Sequence, residues 1–413
     1  MNNYRKENKI PDAIMYIIII VTIIMLAPLI YRFAGNYNFN PQAGFNEGES
    51  SGERALRNIR NRRRYTVTEK QVDISSLRDT DFGRLDLIAA KVTDSGSVIM
   101  FFDSPFENNE RLGRAARIAV WDTENINILP RPLWSGLSSS IMAGRYVYKD
   151  YSDGTVFVSN NRSAFLFDYN NLRFAAHYIL PTHLNIYQAV LSNSRHMLAI
   201  AAEEGFFVSY AYELDEDDDE TFAAIKELIT SSVTGGVRIT ARQPVWSSND
   251  EFILYKIYAG EHVRGAGMTT VVPGGNQQLT ALDSADFIFL SDEHNRIFYY
   301  FSSGGALHQE NSFRGGFFDP FGDRRMTDVM RSQVYFFDIA VSRRGTHLAA
   351  LSHNGNMVRA IVIDIHTKYL IYSELYDDVY TFSFSPNERN FIIHGRSQGD
   401  EVLNVIKIDW EEE

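Results

Sequence analysis

Residues able to do chemistry are scattered along this chain and not gathered into motifs. The ten histidines, at 177, 183, 196, 262, 294, 308, 347, 353, 366 and 394, show no paired ligand spacing, and no His-Glu-x-x-His run occurs. Cysteine is absent, which excludes disulfides, thiolate metal sites and cysteine nucleophiles. No glycine-rich run ends in the Lys-Ser/Thr of a phosphate loop, and "GGVRIT" and "VVPGGN" read as turns between strands. The sequence therefore marks no catalytic residue, no cofactor-binding residue and no metal ligand.

Two stretches invite a sharper reading. "ELDEDDDE", Glu213–Glu220, could offer Asp215, Asp217 and Asp219 to calcium, but an EF-hand loop needs Gly where Glu220 stands and Glu where Lys226 stands. It reads as a solvated acidic loop. The following "TFAAIKELITSS" puts Phe222, Ile225 and Ile229 on one helical face and predicts a short helix. In "NSFRGGFFDPFGDRRMTD", Asn311–Asp328, Gly, Pro and charges surround four rings, and a regular strand is not expected. Either the rings cap the core, or Phe313, Phe317, Phe318 and Phe321 join Arg324 and Arg325 in a partner-binding surface of the kind rich in aromatic and Arg hot spots.

The elements that would position such residues begin after a distinct N-terminal part. Residues 1–12 form a short tail. Ala13–Tyr31 is 19 residues without a charge, long enough at about 1.5 Å per residue to cross a hydrocarbon layer of about 30 Å. A transmembrane helix over 13–33 is expected; a cleaved signal peptide is the rival, but the run exceeds the usual apolar core of one and no A-x-A site follows. Arg5, Lys6 and Lys9 precede it and Arg32 alone closely follows, placing the N-terminus in the cytoplasm and the large domain outside, periplasmic or extracellular. Residues 34–64 form a tether that ends in an Arg-rich arm. Arg54, Arg57, Arg60, Arg62, Arg63 and Arg64 argue the other way on topology if a wider window counts. The arm reads as a solvated face, or, through Arg57, Arg60, Arg62, Arg63 and Arg64, as a contact for anionic lipid or an acidic partner.

Residues 1–64 hold ten Lys and Arg against five Asp and Glu, leaving 30 against 47 in residues 65–413, a net charge of −17. A nucleic-acid groove needs the opposite sign, so that class is set aside.

Residues 65–413 repeat. "AKVTDSGSVIMFF" on Thr93, "AVLSNSRHMLAIA" on Ser192, "PVWSSNDEFILYK" on Ser247, "IFLSDEHNRIFYY" on Ser291, "IAVSRRGTHLAAL" on Ser342 and "FSFSPNERNFIIHG" on Ser385 share one shape: apolar strand, hydroxyl-led turn, apolar strand. Val92, Leu191, Trp246, Leu290, Val341 and Phe384 precede the hydroxyl, and Ile99, Leu198, Ile253, Ile297, Leu348 and Phe391 stand six after it. A looser copy opens at Ser152. The spacing is that of propeller blades, and residues 335–376 hold four short strands in succession, one whole blade. Seven blades are expected, with six or eight also compatible and a β-sandwich pair as the rival. The last unit is one strand short, so Tyr65–Val72 is predicted to supply its outer strand and close the ring.

Several third strands end in an apolar residue plus Asp: Trp121-Asp122, Phe167-Asp168, Ile363-Asp364 and Ile408-Asp409. With these and Ser385-Pro386, the chain resembles the WD40-like propeller superfamily, including the bacterial TolB-type repeats, over roughly residues 65–413. That resemblance implies an all-β propeller and suggests scaffolding in envelope assembly or transport. Two functions stay open: a membrane-tethered protein–protein interaction scaffold at the cell envelope, or an enzyme or small-ligand sensor with a site in the central channel, marked by charged residues converging there.

Overall fold

The computed structural model describes residues 64–74, 86–103, 117–128, 147–151, 153–159, 164–178, 180–181, 183–211, 225–271, 275–283, 285–290, 295–303 and 312–411. The expected membrane span, the acidic loop and most of the arginine arm lie outside them. No helix among the described residues is long and apolar enough to cross a membrane.

The chain opens with β1 (Arg64–Val72) and then lays down antiparallel sheets in order. Blade one is β2 (Asp86–Val92), β3 (Val98–Asp103), β4 (Arg117–Trp121) and β5 (Ile126–Ile128). Blade two is β6 (Val147–Asp150), β7 (Thr155–Ser159), β8 (Ala164–Asp168) and β9 (Arg173–Tyr178). Blade three is β10 (Ile186–Leu191), β11 (Met197–Ala202), β12 (Gly205–Tyr210) and β13 (Ile225–Thr230). Blade four adds β14 (Ser232–Thr234) to β15 (Val237–Trp246), β16 (Phe252–Ala259), β17 (His262–Thr270) and β18 (Gln277–Gln278). Blade five is β19 (Asp286–Phe289), β20 (Ile297–Ser303), β21 (Ser312–Phe318) and β22 (Met326–Ser332). Blade six is β23 (Asp338–Val341), β24 (His347–Asn354), β25 (Met357–Asp364) and β26 (Leu370–Tyr376). The last is β27 (Asp378–Phe384), β28 (Asn390–Ser397) and β29 (Asp400–Glu411), completed by β1.

The molecule is thus a seven-bladed propeller of four-stranded blades, one of them extended by β14. β1 is the outer strand of the seventh, in register from Arg64 opposite Glu411 to Val72 opposite Leu403, so the two chain ends share one sheet and that edge is paired. Cores form between blades, because each sheet is apolar on both faces. Val72, Leu403 and Val405 pack toward blade one beside Met100 and Trp121. Alternate residues of the same strands, Tyr65, Val67, Ile406 and Ile408, pack toward blade six. All six apolar residues placed six after the hydroxyl are fully buried.

The repeated hydroxyl has a mechanical reason. Ser192, Ser247, Ser342 and Ser385 are buried, and each Oγ accepts the backbone N–H five residues on, from Met197, Phe252, His347 and Asn390 at 3.0–3.1 Å. Each carbonyl accepts the N–H three residues on, where the backbone is left-handed: Arg195, Asp250, Gly345 and Glu388.

Several expectations need correction. In blade two the turn opens at Tyr151, whose N–H donates to Thr155 O at 2.9 Å, one position before Ser152, which lies outside the described residues. In blade five Leu290 N–H reaches Arg296 O, one position before Ser291. Turn length differs there, so a fixed offset slips by one. The helix expected around Ile225 and Ile229 is strand β13, since the open edge of β12 supplies backbone partners that an isolated short helix lacks. The stretch Asn311–Asp328, expected to be irregular, contains strand β21. Its glycines permit close approach: a Cβ on Gly316 would lie 2.1 Å from Thr327 O. Finally, Asp409 ends no third-strand turn. β29 runs on to pair with β1, and Lys407, opposite Asn390, stands where Asp364 stands opposite His347.

Candidate functional site

The aromatic stretch is divided by the fold. Phe313, Phe317 and Phe318 are buried; Phe313 meets Phe336 edge-on at 5.2 Å and Phe317 meets Phe298 at 5.5 Å. Phe321 is exposed and leans on Phe252 at 4.8 Å. Arg324 and Arg325 are exposed on the same turn, where Arg324 donates from Nη2 to Gln277 Oε1 at 2.8 Å and from Nε to Pro320 O at 3.1 Å. The turn is built by Asp319, whose Oδ1 accepts the N–H groups of Phe321 and Gly322, each at 2.8 Å. Asp364 does the same for His366 and Thr367, and Asp168 for Asn170 and Asn171. Phe318-Asp319 was therefore a further copy of the apolar-Asp signal, and aligning it would have placed β21.

Of the arginine arm, Arg57, Arg60, Arg62 and Arg63 lie outside the described residues, and Arg64 begins β1. One letter pattern, Gly48-Glu49-Ser50-Ser51-Gly52, has the Gly-x-Ser-x-Gly spacing of a hydrolase elbow. An elbow needs a strand before it and a helix after it, and this stretch also lies outside the described residues.

A further site forms where inner strands meet, and little in the sequence marks it. First strands of neighbouring blades approach one another around the channel. Carbonyls along and just past β10 accept side-chain donors from neighbouring blades: Ser159 Oγ donates to Ala189 O at 2.5 Å, Trp246 Nε1 to Val190 O at 2.9 Å, and Tyr151 Oη to Ser192 O at 2.9 Å. Lys149 Nζ donates to Leu191 O at 2.7 Å, and its ammonium lies 5.2 Å from the Tyr151 ring centre. Burial pulls the Lys149 amine down to about 7; Asp250 opposes this, while Arg343 and Arg195 add to it. Burial pushes Asp150 up, with Lys91 and Arg343 lowering it and Asp94 raising it further.

Charges from four other blades therefore act on two adjacent residues. An amine near neutrality can accept a proton or attack a carbonyl, and the same amine is the nearer of two donors to the Leu191 carbonyl, which Tyr151 Oη also reaches at 3.3 Å. The only sequence signal was a Lys-Asp pair inside a strand, "YVYKDY", where alternation predicts apolar side chains on the packed positions. Among the described residues no group of three or more His, Asp or Glu is placed to hold a metal.

No protein-family model matches the sequence, and no curated relative matches it. Solved structures do match in fold. An oligogalacturonate lyase in complex with manganese aligns with TM-score 0.53 at 9% identity, over 84% of this chain and 98% of its own. An oligogalacturonate lyase from Vibrio parahaemolyticus aligns with TM-score 0.52 at 10% identity, over 83% and 98%. The β-propeller domain of Cps50 (Swd1) from Myceliophteria thermophila gives TM-score 0.49 at 10% identity, over 84% and 100%. The chain has the architecture expected from the WD40-like and TolB-type repeats, and identity this low speaks to fold alone.

Proposed function

We propose that this propeller is a membrane-tethered scaffold for protein–protein contacts at the cell envelope. One observation carries the reading. Val233, Val237, Phe337 and Tyr380 are 66%, 42%, 38% and 47% exposed, and all lie at or near the starts of inner strands or their extensions in blades four, six and seven. Inner strands run in one direction, so these side chains share the face opposite the hydroxyl turns. Exposed aromatic and aliphatic groups on this face suit contact with another protein; Tyr210, Phe321 and Tyr369 are exposed elsewhere. Ala13–Tyr31 supplies a single-pass anchor with the N-terminus cytoplasmic, residues 34–64 the tether, and residues 65–413 an extracytoplasmic ring. The arginine arm offers lipid or an acidic partner a second contact, and Phe321, Arg324 and Arg325 offer a surface on the turn face.

Crosslinking in intact membranes, followed by identification of co-purified proteins, tests this. A specific partner lost on substituting Val233, Val237, Phe337 and Tyr380 by Ser, with an unchanged melting curve, supports the scaffold; no specific partner, together with turnover of a small molecule, sinks it.

A second reading is favoured by the Lys149 cluster: a small-ligand sensor or enzyme using the channel. Two of the similar folds are lyases by name, so this architecture admits an enzyme. Its test is ligand binding or turnover that Lys149→Met abolishes.

A further inference from the structure

The seam between blades seven and one opens into a cleft of about 370 Å³, within the range of about 300–1,000 Å³ that ligand pockets occupy. Its cause is topological. In blade six the third strand turns at Asp364 into the fourth. In blade seven the fourth strand comes from the other end of the chain, no such turn is needed, and β29 runs on with Lys407 at the position of Asp364. β1 then sets Thr68 opposite Lys407 and Lys70 opposite Val405, so Thr68, Lys70, Val405, Lys407 and Asp409 share the sheet face toward blade one. The outer strand facing them in blade one, β5, is three residues long against nine in β1.

The lining is cationic over an apolar floor. Trp121 and Val405 are buried beneath it. Lys70 and Arg389 are exposed, Arg389 with its guanidinium 5.4 Å from the Trp410 ring centre. Lys407 is tied to Asp409 at 2.7 Å, and Asp94 Oδ1 accepts the Asn387 N–H at 2.7 Å. Three cations against two carboxylates line this cleft, in a domain whose 47 acidic residues outnumber 30 basic ones. Cations concentrated against that background make the cleft complementary to negative charge.

We propose that the seam cleft binds a carboxylate-rich segment of a partner protein. The proposal rests on the scaffold reading and names the chemistry of one docking site.

Fluorescence anisotropy of a labelled hexaglutamate peptide, added to the full chain in mild detergent, tests it. The wild type binds and weakens with added salt. Lys70→Glu combined with Arg389→Glu weakens binding roughly tenfold or more without moving the melting temperature, and Lys70→Gln gives an intermediate loss. Absence of binding overturns the proposal. So does unchanged affinity in the double reversal, equal competition by free glutamate at matched carboxylate concentration, or loss of binding only when Arg60 and Arg62 become Gln. If membrane crosslinking recovers a partner while hexaglutamate fails to bind, the cleft proposal falls and the scaffold stands. If hexaglutamate binds through Lys70 and Arg389 while no partner crosslinks, the scaffold reading falls and the chemistry of the cleft stands.

Discussion

Tyr65 donates its hydroxyl to Asp364 Oδ2 across 299 positions of chain, while Oδ1 of the same carboxylate caps the turn that ends the third strand of blade six. The Tyr65 ring stacks on Tyr369 with centroids 5.5 Å apart. One buried aspartate therefore holds a turn within its own blade and latches the strand that closes the ring. Tyr65→Phe keeps the stacking and removes the donor, leaving a buried carboxylate with one partner fewer. The expected loss is about 1–3 kcal/mol of unfolding free energy, read from urea titration; an unchanged midpoint means the latch contributes nothing.

The same carboxylate sets an acid dependence. Burial, the largest influence on Asp364, pushes its pKa up, but the bonds from Tyr65 and Thr367 and the nearby His347 outweigh it and hold the group below the usual carboxylate range. A depressed folded pKa means that the unfolded chain takes up the proton first as pH falls. The contribution is full above the ordinary Asp value and is lost as pH drops through the folded one. Urea midpoints from pH 7 down to about pH 3 should fall less steeply in Asp364→Asn than in the wild type; parallel profiles would remove Asp364 from the account.

Closure by Tyr65–Val72 was legible because the last unit visibly lacked a strand and an alternating segment stood unclaimed at the other end. The five regular turns, at Thr93, Ser192, Ser247, Ser342 and Ser385, were legible because each five-residue loop between packed strands carries a buried hydroxyl and, three positions on, a left-handed residue. Tyr151 and Leu290 escaped because their turns use no hydroxyl at that place, and the alignment moved to the nearest serine. β21 escaped for a different reason. Gly315 and Gly316 look like loop residues until the Phe298 and Phe313 rings at the first and the Thr327 carbonyl at the second are known to lie within reach of their missing Cβ atoms. Lys149, Asp150 and Arg343 could not be grouped at all, since they meet only after strands from separate blades converge on the channel.

Turns also key one blade into the next. Gly345 sits at φ +71° in the blade-six turn, and a Cβ there would lie 2.8 Å from Phe317 Cε1 and 3.0 Å from Leu290 Cδ1 in blade five. Gly345→Ala thus meets both a left-handed backbone, costing about 1–2 kcal/mol, and two buried neighbours with little room to move. The melting temperature should fall by several degrees. Gly355→Ala, with positive φ but open space around it, should fall less. Equal losses would show that backbone strain acts alone and that the inter-blade contact does not matter.

Lys149 gives the opposite pH dependence to Asp364. Its amine is drawn down to about 7 from 10.5 chiefly by burial, so between those values the unfolded chain carries a proton that the folded one does not. Stability attributable to this residue therefore rises with pH across that window and is lowest below it, where folding buries a charge. Lys149→Met keeps an unbranched apolar stem and removes the titration, though it also leaves the Leu191 carbonyl without this donor. Below pH 7 the variant should be as stable as the wild type or more so, and it should lose ground steadily as the pH is raised toward 10. The difference in urea unfolding free energy between the two, followed from about pH 7 to 10, should change by about 3–4 kcal/mol. A constant offset at every pH would mean that the amine keeps its proton throughout. The second functional reading would then lose the neutral nitrogen on which its chemistry depends.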